Sequence, residues 1–177
     1  MIVLETERLL FRDHSIEDLE PFCAMQADPE VRRYVGGKPR SRQASEEKFR
    51  SAFLIPNVER KGMWATVFKP EGCYVGYCGV YANMDSSGLV PDEGVLGFYI
   101  ARTYWGRGIA TEAGRAFIEF GFGELHLSRI VSTVQVGNDA SIHIMKKLGF
   151  TLMRREEGEL RKYDHFEIRN PAGQVRL

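Results

Sequence analysis

Two glycines one residue apart, Gly106 and Gly108 in the run YWGRGIATEA, fall where an apolar strand gives way to an amphipathic helix. A helical glycine costs roughly 0.5–1 kcal/mol relative to alanine. A pair at this junction therefore marks backbone that has to stay free of side chains. A strand feeding a helix through glycines exposes N–H groups at the positive end of the helix dipole, which suits anions and above all phosphate. Two familiar phosphate patterns fail. A P-loop needs a lysine and then Ser or Thr after the second glycine, but Ile109 and Ala110 stand there. A dinucleotide fingerprint needs a third glycine where Thr111 stands, and an acidic residue about twenty positions on, where the chain reads RIVSTVQV. What is left is another kind of phosphate loop, or a tight turn with close helix–strand packing.

The rest of the chain arranges itself around this junction. A short strand is expected from about Glu5 to Arg12. Ser15 and Asp18 resemble a capping box, and Ile16, Leu19, Phe22 and Cys23 form a helical stripe. Asp28-Pro29 starts a second helix, with proline at its first position. Lys38, Arg40 and Arg42 lie around Gly36, Gly37 and Pro39, and read as a solvated loop rather than a phosphate site. A third helix covers Gln43 to Leu54. MWATVF, the turn KPEG and YVGYCGVY make a hairpin, ANMDSSGLVPDE is a loop, and EGVLGFYIA is another strand. Ile109, Ala113, Ala116, Phe117 and Phe120 recur at helical spacing. RIVSTVQV is a strand, and Asn138 or Asp139 caps a helix that Gly149 ends. GFTLMRR and YDHFEIR complete one mixed α/β sheet, mostly antiparallel, with flanking helices.

Composition excludes several classes. The 177 residues suit one domain, residues 1–177, with a full core. Lys+Arg and Asp+Glu both number 24, so no net positive field points to nucleic acid or an anionic membrane. The N-terminus is charged too early for a signal peptide, and no run approaches the ~18 apolar residues of a spanning helix. Cys23, Cys73 and Cys78 cannot all pair within one chain and do not match zinc spacing, so no metal is expected. The expectation is a soluble, reduced, cytoplasmic protein, monomeric or homodimeric.

WGRGIA followed by a helix, and NDASIHIMKKLGF some thirty residues later, resemble the GNAT superfamily of N-acetyltransferases. The N-terminal LETERLLFRD is similar to the branch that contains ribosomal-protein N-terminal acetyltransferases. The resemblance covers almost the whole chain. It implies acetyl-CoA as co-substrate, with its pyrophosphate on the backbone of Gly106, Arg107, Gly108, Ile109, Ala110 and Thr111. It also implies a strand splayed by a bulge, where the backbone of Phe98, Tyr99 and Ile100 pairs with the pantetheine arm and one N–H polarises the thioester carbonyl. Two positions depart from the wider pattern. Trp105 stands where most members carry Gln or Arg, and Met145 where many place a thiolate-protonating tyrosine.

Acetyl transfer to an amine needs a neutral nucleophile, a polarised thioester and a stabilised thiolate. An alkyl amine, with pKa near ~10.4, is mostly charged at neutral pH, so a proton acceptor helps. Glu93, acting directly or through water, is the first candidate, and Asp92 the second; both also read as solvated loop-end carboxylates. With methionine at position 145, Ser141 becomes the candidate donor to the thiolate, although it also reads as a locally bonded helix-terminal serine. Asn138 reads as an N-cap whose amide also contacts pantetheine. Lys146 or Lys147 is placed for the CoA 3′-phosphate, or simply for the helix terminus. Glu112 and Arg115 read as a helix-surface pair. The acceptor is expected to be a protein N-terminus or a small-molecule amine. The alternative is a non-catalytic acyl-CoA-binding module.

Overall fold

A computed structural model describes residues 1–55, 61–86 and 88–171. Eight strands form one sheet in the order β1-β2-β3-β4-β5-β6-β8-β7. They are β1 (Ile2–Glu5), β2 (Leu9–Arg12), β3 (Trp64–Phe68), β4 (Cys73–Asp85), β5 (Gly88–Ile100), β6 (Arg129–Gln135), β7 (Thr151–Glu157) and β8 (Lys162–Arg169). Every neighbouring pair is antiparallel except β5 with β6. The helices are α1 (Leu19–Ala27), α2 (Pro29–Arg32), α3 (Arg42–Ala52), α4 (Ile109–Gly123) and α5 (Asp139–Lys147). The expected mixed, mostly antiparallel sheet with flanking helices is therefore the observed fold. No helix among the described residues is long and apolar enough to cross a membrane.

Strand alternation sends side chains to opposite faces, and this builds two cores. Leu96, Phe98 and Ile100 of β5 join Cys78 and Val80 of β4 and the apolar stripe of α4, Ile109, Ala113, Phe117 and Phe120. Tyr77 and Tyr99 point the other way, to Leu19, Phe22 and Cys23 of α1 and Phe49 of α3. Arg12 holds the start of this second layer through two bonds to Asp18, at 2.7 and 2.8 Å, while the Ser15 N–H donates to the same carboxylate at 2.9 Å.

Three expectations change. The strand expected from Glu5 to Arg12 is a turn and two antiparallel strands, because Thr6 reverses the chain: its N–H donates to the Leu9 carbonyl at 2.9 Å, and Leu9 N–H to its hydroxyl at 3.0 Å. Ile16, expected in the buried stripe, is 52% exposed, because α1 begins only at Leu19. The segment expected as a loop, ANMDSSGLVPDE, extends β4 and β5 instead, with Ala82↔Gly94, Met84↔Leu89 and Asp85↔Gly88 paired. Ser87 lies outside the described residues. Two long strands zipped from their far end keep that polar stretch paired although it has no apolar alternation.

Candidate active site

β5 has two paired neighbours from Glu93 to Val95 and one from Leu96 to Ile100. It pairs in parallel with β6 at Glu93↔Arg129, Gly94↔Ile130 and Val95↔Val131, and there the pairing stops. Its other edge continues with β4 to Gly76↔Ile100. From Leu96 to Ile100 the two strands diverge, and the edge of β5 that faces β6 is open. Asp92 O accepts from Ser128 N–H at 2.7 Å, and Leu96 O accepts from the buried Ser132 hydroxyl at 3.1 Å. By alternation, the backbone groups of Leu96, Phe98 and Ile100 therefore face the fork. Those of Tyr99 face β4, where it lies opposite Tyr77.

This sorts the expected backbone contacts. Phe98 offers both its N–H and its C=O to the fork. Ile100 offers its N–H alone, since the Trp105 indole donates to its carbonyl at 2.7 Å. Trp105 thus has a local role in place of the usual Gln or Arg. Tyr99 contributes a ring to the opposite face, not backbone to the fork. The expected bulge is displaced as well: the β4–β5 register is unbroken from Gly94 to Ile100, and the irregularity falls between Ala82 and Met84. Loss of β6, not a bulge at Phe98, opens the strand.

The fork runs into the glycine turn. Gly106 and Gly108 have φ of 74° and 78°, in the left-handed region where a side chain costs roughly 1–2 kcal/mol. A Cβ on Gly106 would meet nothing within 4 Å, so the turn faces open space. Gly108 is the N-cap of α4, and its carbonyl accepts the first helical bond, from Glu112 N–H at 3.0 Å. Among the described residues, no group accepts from the N–H of Gly106, Arg107, Gly108, Ile109, Ala110 or Thr111. Six successive donors converge on one helix terminus. The Arg107 side chain turns away, bonded to Glu71 at 3.1 Å over the Phe68 and Tyr104 rings.

Glu112 does not pair with Arg115. It accepts from Thr6 Oγ1 at 2.5 Å and from Arg8 Nε at 2.7 Å, and Arg8 Nη1 also donates to the Arg107 carbonyl at 3.1 Å. Burial alone would raise the Glu112 carboxyl, but these bonds hold it below its ordinary value. Thr6 and Arg8 thus tie the glycine turn to the N-terminal strands. Only long-range folding reveals this, since they lie about a hundred residues from Glu112.

On the other side of the fork, Asn138 caps α5 by accepting from Ser141 N–H at 3.3 Å, which leaves its amide donors free. The half-buried Ser141 hydroxyl bonds no described group. Met145 is fully buried in the α4-side core, so it has no access to the fork. Lys146 and Lys147 are exposed in the last turn of α5.

Glu93 is placed differently from the expectation. One oxygen accepts from Arg129 Nε and the other from Asn83 at 2.9 Å, while Arg129 also reaches Glu167 at 3.1 Å. Partial burial pushes the carboxyl up, but these hydrogen bonds outweigh it and leave it below its ordinary value. Five residues separate it from Phe98, about 16 Å at ~3.3 Å per residue. A weakened, doubly bonded carboxylate at that distance is poorly placed to take a proton at the thioester. Asp92 is one residue further away and exposed. No group of three or more His, Cys, Asp or Glu among the described residues is placed to hold a metal.

An open strand edge leading to a helix terminus of free donors fits a ligand with an amide-bearing arm and a pyrophosphate, the shape of an acyl-CoA. The class that this fold and site point to is an acyltransferase. Residues 8–151 match the acetyltransferase (GNAT) domain, and the chain belongs to this family of acetyltransferases. It is 29% identical over 167 residues to the uncharacterized N-acetyltransferase p20 of Bacillus licheniformis, covering 93% of this chain and 88% of that one. It is 39% identical over 61 residues to the spermidine N(1)-acetyltransferase of Escherichia coli strain K12, covering 34% and 31%. Among solved structures, a GNAT-family acetyltransferase from Bacillus anthracis superposes with a TM-score of 0.83 at 20% identity, covering 96% and 99%. The ribosomal L7/L12 alpha-N-protein acetyltransferase RimL, solved with coenzyme A, superposes at 0.77 with 13% identity, covering 97% and 99%. Like its family, this chain is an acyltransferase that moves an acetyl group to an amine.

Proposed function

We propose that residues 1–177 act as one domain that binds acetyl-CoA along the β5–β6 fork and transfers its acetyl group directly to a primary amine in a ternary complex. The carrying observation is the six free N–H donors at the α4 terminus, at the end of an open strand edge. Gly106 to Thr111 would hold the pyrophosphate. Phe98 would pair with the pantetheine arm, and the N–H of Phe98 or Ile100 would bond the thioester oxygen as it gains charge. The free amide of Asn138 would donate to pantetheine. The Ser141 hydroxyl would donate to the departing sulfur, in place of the family's tyrosine. The RimL and spermidine relatives bracket the acceptors, a protein N-terminus on one side and a small-molecule amine on the other.

Proton removal follows from the placement of Glu93. Tied to Arg129 and Asn83, it holds the closed half of the fork, and the amine has to arrive neutral and lose its proton to water. This favours an α-amine, pKa about 7.7–8.0, over an alkyl amine near ~10.4, of which only about one in a thousand is neutral at pH 7.4. The test is release of free CoA thiol from acetyl-CoA across a panel of amines, paired with calorimetry of CoA binding. Tight CoA binding with no thiol release on any amine, and no labelled product by mass spectrometry of cell extract given labelled acetyl-CoA, would return the chain to a binding module.

A further inference from the structure

The loop after α2, beside Tyr77 and Tyr99, covers a buried charge that no described group compensates. Arg32, the last residue of α2, is only 6% exposed, yet no described carboxylate pairs with it. Among the described residues, the one hydrogen bond of its side chain is from Nε to the Lys38 carbonyl, at 3.3 Å. Its two terminal nitrogens donate to no described group. The other acids of this region are already engaged: Asp28 pairs with Arg102 at 3.1 Å, and Glu30 with Arg33 at 3.7 Å. Burial and the neighbouring Arg40 both depress the Arg32 pKa, and the only titratable neighbours that counter this are the phenols of Tyr77 and Tyr99. A buried cation without a counter-charge is costly, by several kcal/mol in general.

Its surroundings place it at the site. Tyr99 lies on β5 between the fork residues Phe98 and Ile100, and its ring stacks on Tyr77 at 4.7 Å between ring centroids. Gln26 fixes the Tyr77 hydroxyl at 3.2 Å. The loop after α2 crosses to the other arm. A Cβ on Gly36 would collide with the Arg32 guanidinium, and one on Gly37 with that of Arg161. Arg161 in turn bonds Gln135, at the end of β6, at 3.1 Å. Half-buried Arg40 anchors the loop, its N–H donating to the Gln26 carbonyl at 3.0 Å, and its guanidinium has no described partner. Arg32, Arg40 and Arg161 thus gather around the loop after α2, near Tyr99 of β5 and the end of β6, and none of them has a carboxylate partner among the described residues.

Building on the transfer reading above, we propose that Arg32, assisted by Arg40, binds a carboxylate of the acceptor, so that the substrates are α-amines that carry an acidic group and polyamines are excluded. Arginine suits this role because its fork of donors meets a carboxylate in a bidentate way. A polyamine would add positive charge to a site that already holds a buried, unpaired cation. A free acidic amino acid and a peptide N-terminus followed by Asp or Glu supply the same chemistry.

The experiment compares thiol release by the intact chain on glutamate and aspartate, on short peptides with an acidic second residue, on the matching carboxamides, and on spermidine. The carboxylates should exceed their carboxamides in kcat/KM by about 30- to 5000-fold, the usual scale for losing one partner of a buried charged hydrogen bond. Spermidine should be slower still. Whichever acid source is faster identifies the acceptor. Arg32→Gln should raise KM for the carboxylates and erase the preference, while CoA affinity stays unchanged. If that variant does not fold, Arg40→Gln should narrow the same ratio. Equal rates on carboxylate and carboxamide, or preferred turnover of spermidine, would overturn the proposal and leave acetyl transfer standing. Silence on every amine with CoA still bound would instead overturn the transfer reading, and this proposal with it.

Discussion

Two adjoining stretches of β5, Glu93 to Val95 as the closed half of the fork and Leu96 to Ile100 as its open half, share one neighbour, β4, and differ in whether β6 is alongside. From Glu93 to Val95 both edges are paired, and a carboxylate there is drawn into a sheet-closing network with Arg129 and Asn83. From Leu96 to Ile100 one edge is bare, and backbone groups of Leu96, Phe98 and Ile100 lie along it. Polar groups in the closed half serve the sheet, whereas polar groups in the open half are available for chemistry. A carboxylate on a strand leading to a site is therefore not a base merely by proximity in sequence.

The largest effect is expected at the mouth of the open half. Gly108→Val should lower CoA affinity by roughly 10²–10⁴-fold, the loss of two charge-assisted bonds at about 1.5–3 kcal/mol each. At φ 78° the variant also carries backbone strain. Thermal melting should therefore show a smaller, separate loss, about 1–2 kcal/mol or somewhat more for a β-branched residue. Unchanged affinity by calorimetry would make the turn structural and break the contrast between the halves.

Next comes the thiolate. Ser141→Ala should reduce turnover by about 10²–10³-fold while leaving CoA affinity nearly unchanged, because a bond to a developing anion acts in the transition state. Weaker CoA binding with no further slowing would make the serine a binding residue. Because Met145 is fully buried, Met145→Tyr would overpack the core, so restoring the family's acid there should cost stability rather than rescue the rate.

Glu93→Gln sharpens the comparison from the closed half. Turnover should fall less than about tenfold, with no recovery at alkaline pH, while stability drops by about 1–3 kcal/mol as Arg129 loses a charged partner. The pH dependence has a definite sign. A carboxyl whose folded pKa is lowered stabilises the fold above its unfolded pKa, and that contribution is lost as pH falls through the folded value. The native chain should therefore lose more stability than Glu93→Gln on acidification below about pH 4.3. A loss of 10²–10⁴-fold in turnover that shrinks at high pH would restore Glu93 as the base. The smallest effect is expected from Trp105→Phe, which frees the Ile100 carbonyl and should cost about 1 kcal/mol of stability with a modest change in KM for acetyl-CoA.

Much of this site was legible in the chain. Gly106 and Gly108 announced the turn, because only glycine holds a positive φ without strain, and the apolar period of α4 followed directly. Asn138 was readable as a cap by its chemistry and position. The β4–β5 extension was not, since its polar residues show no alternation, and its pairing comes from register set farther along the hairpin. The partners of Glu112 are hidden in the sequence for a related reason. Helix spacing reveals neighbours at i+3, whereas Thr6 and Arg8 come from another strand.

The sequence by itself determined the family, the mixed sheet and the glycine turn at the start of α4, because these depend on local backbone conformation and short-range periodicity. Tertiary structure alone decided which backbone groups of Phe98, Tyr99 and Ile100 face the fork, that Glu93 is bound by Arg129 and Asn83, and that Arg32 is buried with no counter-charge among the described residues. Those facts depend on where β6 leaves β5 and on which distant side chains arrive there. Desolvation and pairing act between residues far apart in the chain, so they set the state of each charge only once the fold has brought those residues together.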